Sequence, residues 1–254
     1  MRWATLAVLL IPVAAFGDEY QHIPAGEFRS MLLYQDVTAP RKVAAFELMR
    51  EPVTNAEFLL FVQDHPRWRR DQALALYVER DQYLTHWPGA LSLGTEARPN
   101  QPVTRVSWFA ARAYCEAQEA RLPTWDEWEY VAAADATQRD ARGDPAWSAR
   151  ILDWYASSAA GPLPDIGRTA ANVYGVRDLH GLVWEWTEDY ASMLVSGDNR
   201  SQQDSDRYKF CGAGALSAAD RENYPVMMRV ALLSSLRASD STSSLGFRCA
   251  RDMP

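Results

Sequence analysis

The stretch from Gly175 to Tyr190, Gly-Val-Arg-Asp-Leu-His-Gly-Leu-Val-Trp-Glu-Trp-Thr-Glu-Asp-Tyr, constrains this chain more than any other. Trp184 and Trp186 flank one carboxylate, Glu185, and Gly175 and Gly181 let the backbone turn tightly ahead of them. A buried indole wants an acceptor for its N–H. A carboxylate between two indoles stays charged only if something donates to it or coordinates it. The stretch therefore reads as a hub around which other segments gather, and as a candidate site.

The rest of the composition narrows the class. A chain of 254 residues with 48% hydrophobic residues and a formal charge of -7 is ordinary for a globular protein, and its acidic balance argues against a nucleic-acid partner. The basic run Arg67-Trp68-Arg69-Arg70 reads as a solvated helix end. Ten Trp and fourteen Pro favour a loop-rich fold pinned by aromatic anchors. Met1-Arg2-Trp3, the apolar run Ala4 to Phe16 and the small residues closing at Gly17 predict a signal peptide over 1–17, cleaved before Asp18. The run is too short to span a bilayer and no second one of spanning length follows. The expectation is a periplasmic or secreted protein without a membrane span after cleavage. Three cysteines, Cys115, Cys211 and Cys249, leave at least one over in such an oxidising compartment.

Along the chain, His22 to Phe28 reads as a strand entering a turn and Arg41 to Met49 as a second strand. Thr54-Asn55-Ala56-Glu57 is a capping box opening a helix with Phe58, Phe61 and Val62 on its apolar face, running to about His65, where Pro66 stops it. Heavy punctuation between Asp71 and Gln101 predicts an irregular connection. Ser107 caps a second helix, Trp108 to about Glu119, and Thr124-Trp125-Asp126-Glu127 is a second capping box, opening a third helix through Ala132. Thr137 to Pro164 reads as a surface excursion with one helical turn near Ile151, and Leu245 to Ala250 as a final strand. With neither repeat nor linker, residues 18–254 are read as a single domain.

The order of the pieces carries more than any piece alone. Pro52-Val53-Thr54-Asn55 with Phe58 and Phe61, then Pro102-Val103 with Val106-Ser107-Trp108, then Arg121-Leu122-Pro123-Thr124 with Glu127-Trp128-Glu129-Tyr130, then Tyr174-Gly175, Asp178, Gly181 and Trp184-Glu185-Trp186, and last Leu245-Gly246-Phe247-Arg248-Cys249-Ala250, resemble the formylglycine-generating enzyme family, the sulfatase-modifying-factor domain. The resemblance implies an α+β fold, distantly like a C-type lectin, with little regular secondary structure. It implies a disulfide between Cys115 and Cys249, which leaves Cys211 as the remaining thiol.

It also marks what is missing. Formylglycine generation in this family uses two further cysteines that bind copper(I), because soft thiolates suit that ion. Their positions fall at about Asp220 and Pro225, so the resemblance implies a member that does not generate formylglycine by that route. The family's calcium-binding Asn in Gly-Asn-Val-Trp-Glu-Trp is Leu182 here, which leaves Asp178 and Glu185 as candidate calcium ligands. The competing reading ties Glu185 by hydrogen bonds without a metal. The four histidines lack the spacing of an iron-binding cluster. Cys211, Met227, Met228 and His180 form a candidate copper(I) set, against the competing reading that the methionines fill core.

Three functions follow, and both enzyme and non-enzyme readings stand. The first is a maturation or accessory factor for an exported metalloenzyme, as in exported relatives associated with copper nitrite reductases and denitrification, which the Leu-His-Gly-Leu-Val-Trp-Glu-Trp segment resembles. The second is an oxidative tailoring enzyme with Glu185 or Asp220 as base in a cleft formed by Trp184, Trp186, Cys211 and Tyr224. The third is a module that binds another exported protein.

Overall fold

The computed structural model describes residues 20–30, 39–156, 162–191 and 224–253. The signal peptide expected over 1–17 lies outside these residues, as do Cys211 and Asp220. The elements are few and short, as an α+β fold of this kind requires. They comprise strands β1 (Tyr20–Ile23), β2 (Gly26–Phe28), β3 (Arg41–Val43), β4 (Phe46–Met49), β5 (Trp184–Glu185), β6 (Leu245–Gly246) and β7 (Ala250–Asp252). The helices are α1 (Asn55–Asp64), α2 (Trp108–Ala117), α3 (Trp125–Ala132), α4 (Pro145–Ala156) and α5 (Tyr224–Ser234).

The strand expected over Arg41 to Met49 is broken in two, and so is its partner. β1 pairs with β4 and β2 with β3, both antiparallel, and the pairing keeps one offset through the break, from Ile23 opposite Phe46 to Gly26 opposite Val43. Pro24, which has no N–H to give to a ladder, sits at the interruption. β7 lines the other edge of β4, giving the order β1-β4-β7. Ile23, Phe46, Leu48 and Ala250 of this sheet share a core with Trp128 and Val131 of α3.

Both capping boxes form. The Thr54 hydroxyl accepts from the Glu57 N–H at 3.2 Å while the Glu57 carboxylate accepts from the Thr54 N–H at 2.7 Å, and Thr124 and Glu127 repeat the exchange at 3.3 and 2.8 Å. The helix capped by Ser107 stops at Ala117, two residues short of expectation, because Glu119 takes a left-handed φ of 54°. The connection from Asp71 to Gln101 is irregular, yet it is packed. Tyr83, Leu84 and Trp87 are buried, and the Trp87 indole donates to the Asn55 side chain at 3.0 Å.

The surface excursion expected over Thr137 to Pro164 instead holds the three-turn α4. Asp144 accepts from the Ala146 N–H at 2.9 Å, Pro145 occupies the first helical position, and Trp147 and Ile151 are buried with Ala141. The expected final strand also divides. Leu245 and Gly246 run parallel to Trp184 and Glu185, whereas Ala250 joins β4, so the chain crosses between two sheets at Phe247-Arg248-Cys249. A Cβ at Gly246 would stand 2.6 Å from the Val103 carbonyl oxygen, so only glycine lets β6 lie this close. α5 occupies a stretch for which the sequence predicted no element.

Cys115 of α2 and Cys249 are joined by a disulfide across 134 residues, as the family resemblance implied. In the chain-entropy model, closing a loop that long restricts the unfolded chain by roughly 4–5 kcal/mol. The Cys115→Ala/Cys249→Ala variant is therefore expected to lose up to about 4–5 kcal/mol of unfolding free energy by urea titration. An unchanged midpoint would show that the cross-link constrains nothing in the unfolded state.

Candidate functional site

Glu185 has no exposed surface and neither does Arg248. The guanidinium grips the carboxylate through both oxygens, Nε to Oε2 at 2.8 Å and Nη2 to Oε1 at 2.8 Å, and the Trp128 indole donates to Oε2 at 2.8 Å. The rest of Arg248 is spent on backbone. It donates to the carbonyls of Met49 and Arg50 at 3.1 Å each and of Arg177 at 2.9 Å. A bidentate pair of this kind, with the remaining donors satisfied, is the arrangement in which a buried charge is tolerable. Arg229 of α5 closes the other side. It donates to the Glu185 carbonyl at 2.6 Å and lies 3.7 Å from the Trp128 ring centre, a cation–π contact.

Asp178, with φ +57°, turns the chain between Gly175 and Gly181, at φ +83° and +94°. Its carboxylate accepts from the Gly167 N–H, from the Thr169 N–H at 3.0 Å and from the Thr169 hydroxyl at 2.8 Å. Both candidate calcium carboxylates thus face N–H and O–H donors. Those donors supply the charge compensation that a cation would otherwise give, and they make Asp178 and Glu185 structural anchors of the hub.

Of the two tryptophans expected to wall a cleft, only Trp184 keeps exposed surface. Trp186 is completely buried, donating from its indole to the Val106 carbonyl at 3.0 Å, and cannot wall an open cleft. Both Glu185 oxygens are held, by Arg248 and by the Trp128 indole. Trp184 is half-buried, its ring 5.5 Å from that of Trp154 on α4. Of the remaining candidates, Cys211 and Asp220 lie outside the described residues, as do the side chains of Tyr224 and Met227. Met228 is 38% exposed on α5. Among the described residues no group of three or more His, Cys, Asp or Glu is disposed to hold a metal ion.

His180 is the candidate with free chemistry. Its ring meets the edges of Trp128 and Trp147 at 5.7 and 5.5 Å, and Nε2 is 2.9 Å from the Ala132 carbonyl. Burial, opposed by that hydrogen bond and aided by the charge of Arg229, lowers its pKa to about 4. The neutral ring donates from Nε2 to the carbonyl, which leaves Nδ1 with a bare lone pair.

Sequence reasoning missed Arg248 as the partner of Glu185, Arg229 as its cover, and Asp189, whose carboxylate accepts from the Trp125 N–H at 2.8 Å at the start of α3. A signal for Arg248 was present. An arginine set within the otherwise apolar run Leu245-Gly246-Phe247-Cys249-Ala250 points to a strand covered on both faces, and a buried guanidinium needs a carboxylate.

Comparison with known proteins places these features. The model of the sulfatase-modifying factor enzyme 1-like domain matches residues 14–253. A hercynine oxygenase from Mycolicibacterium thermoresistibile is 37% identical over 163 residues, covering 57% of this chain and 36% of that protein. The formylglycine-generating enzyme of Streptomyces coelicolor is 32% identical, covering 66% and 58%. The inactive C-alpha-formylglycine-generating enzyme 2 of Bos taurus is 30% identical, covering 72% and 60%. The chain thus aligns with only 36% to 60% of the length of these relatives.

Two outcomes follow from the geometry. Glu185→Gln leaves Arg248 buried without a counter-charge and is expected to cost about 3–5 kcal/mol by urea unfolding. A loss below about 1 kcal/mol would mean that the pair is not desolvated. For His180, the folded pKa of about 4 lies below the ordinary 6.5, so the unfolded chain takes up the proton first. The stability it contributes is complete above about pH 6.5 and is lost as pH falls towards 4. Between pH 7.5 and 5.0 the wild type is expected to lose more stability than His180→Asn, and equal losses would contradict this.

Proposed function

This chain belongs to the sulfatase-modifying factor enzyme family, and from that membership we propose that it is an exported accessory member, serving another exported protein instead of generating formylglycine. The observation that carries this is the cysteine inventory. Of three cysteines, Cys115 and Cys249 are consumed in a disulfide, so one thiol remains where copper-dependent thiol oxidation uses a pair. The inactive bovine relative is a precedent for loss of the chemistry on the same domain.

A partner surface supports the same reading. A groove of about 320 Å³ on α2 and the preceding connection is lined by Trp68, Leu74, Tyr77, Trp108 and Phe109. Beside it Leu74 and Leu76 are 59% and 73% exposed. Aromatic surface edged by the charges of Arg67, Arg112 and Glu116 suits the seat of another protein. Among the described residues no helix is long and apolar enough to cross a membrane. We assign the client as an exported copper enzyme, with Cys211 as a soft ligand in delivery.

The test has two arms. The mature protein, loaded with copper(I) under oxygen and given a cysteine-containing peptide, is expected to leave the thiol unoxidised by mass spectrometry, and aldehyde formation would overturn the reading. In cells, the copper content of an exported copper enzyme from the same organism should fall several-fold on deletion of this protein. Leu74→Glu/Leu76→Glu and Cys211→Ser should each reproduce the fall, and unchanged copper loading would refute the accessory role.

A further inference from the structure

A second cavity, of about 540 Å³, lies beneath α4 and has no part in the partner surface. Its volume is that of a small-molecule site. The walls come from the end of α3, from Trp147, Ile151 and Trp154 of α4, and from the hub itself at Leu179, His180 and Gly181. The glycine backbone brings the hub against α4, with a Cβ at Gly181 falling 3.7 Å from the Trp154 ring. Flat aromatic edges and aliphatic groups therefore face one another across the space.

Two polar groups differ from the rest of the lining. Asp178, Thr169 and Asn172 have their side chains committed to backbone and to one another. His180 is committed only at Nε2 and makes no other hydrogen bond among the described residues, so Nδ1 is an acceptor awaiting a donor. Arg150 is exposed at the rim and makes no ion pair or hydrogen bond among the described residues. Asp135 shares that rim, with Oδ1 held by the N–H groups of Thr137 and Gln138, and it feels the charge of Arg150, with which a bound anion would compete. The signs decide how a ligand would lie. A carboxylate pressed against the neutral, desolvated His180 would oppose lone pair to lone pair, whereas a hydroxyl would donate to it. An anion belongs at the mouth, beside Arg150.

We propose that this cavity binds a small hydroxylated aromatic acid, its ring between Trp147, Ile151 and Trp154, its hydroxyl donating to His180 Nδ1 and its carboxylate at Arg150. The site is separate from the apolar groove, and it stands or falls independently of the accessory role.

The experiment titrates the mature protein with 4-hydroxyphenylacetate, following the indole N–H resonances and the heat of binding. Saturable binding that shifts the indole signals is expected. The methyl ether, which lacks the donor, should bind about tenfold more weakly, the worth of one hydrogen bond of about 1.4 kcal/mol. Tyrosol, which lacks the carboxylate, and Arg150→Ala, a surface change that should leave the unfolding midpoint unaltered, should each weaken binding several-fold. Ile151→Trp, which fills the cavity, should abolish it. Absence of binding at several millimolar overturns the proposal, as does equal affinity for acid and ether or an Arg150→Ala variant that binds like wild type.

Discussion

One desolvated ion pair, Glu185 with Arg248, holds together parts of the chain that are otherwise far apart. Neither residue has any exposed surface, so each would be intolerable alone, and the pair is stable only because every remaining donor of Arg248 has an acceptor. Those acceptors are the carbonyls of Met49 and Arg50 at the end of β4 and of Arg177 in the hub. Trp128 brings α3 to the same carboxylate, and Arg229 brings α5 to the Glu185 carbonyl. The sheet, two helices and the hub loop are thus tied at one point. The disulfide from α2 to Cys249, next to Arg248, fastens the same crossing segment from its other side.

This arrangement separates structure from chemistry. The conspicuous charged residues of the hub are spent on backbone and on one another, so that Asp178 and Glu185 behave as fixed anchors and Trp186 as core. What is left over lies at the edges of the hub. His180 stands in the wall of the cavity under α4 with Nε2 committed to the Ala132 carbonyl, and Trp184 lies half-buried against Trp154 of the same helix. The smaller apolar groove, on α2, is reached by a row of aromatic contacts running from Trp186 through Tyr190 and Trp108 to Phe109 and Tyr77, with ring separations of 4.9 to 6.0 Å.

What the residues by themselves determined is local or compositional. The two capping boxes, the Ser107 cap and the stop at Pro66 place α1, α2 and α3 because an N-cap bond is made within three residues of the chain. The order of the family segments carries the fold and the Cys115–Cys249 pair, and three cysteines are too few for that disulfide and a copper-binding pair besides. Even α4 was legible in Asp144-Pro145 followed by Trp147 and Ile151, behind a composition that resembled a loop. Tertiary structure alone decided that Glu185 meets Arg248 across 63 residues, that Trp186 is sealed while Trp184 stays half-open, and that α4 roofs a cavity with His180 in its wall. The physical reason is that a capping bond depends on nearest neighbours, whereas the partner of a buried charge and the open or closed state of a ring depend on which distant segments exclude water from it.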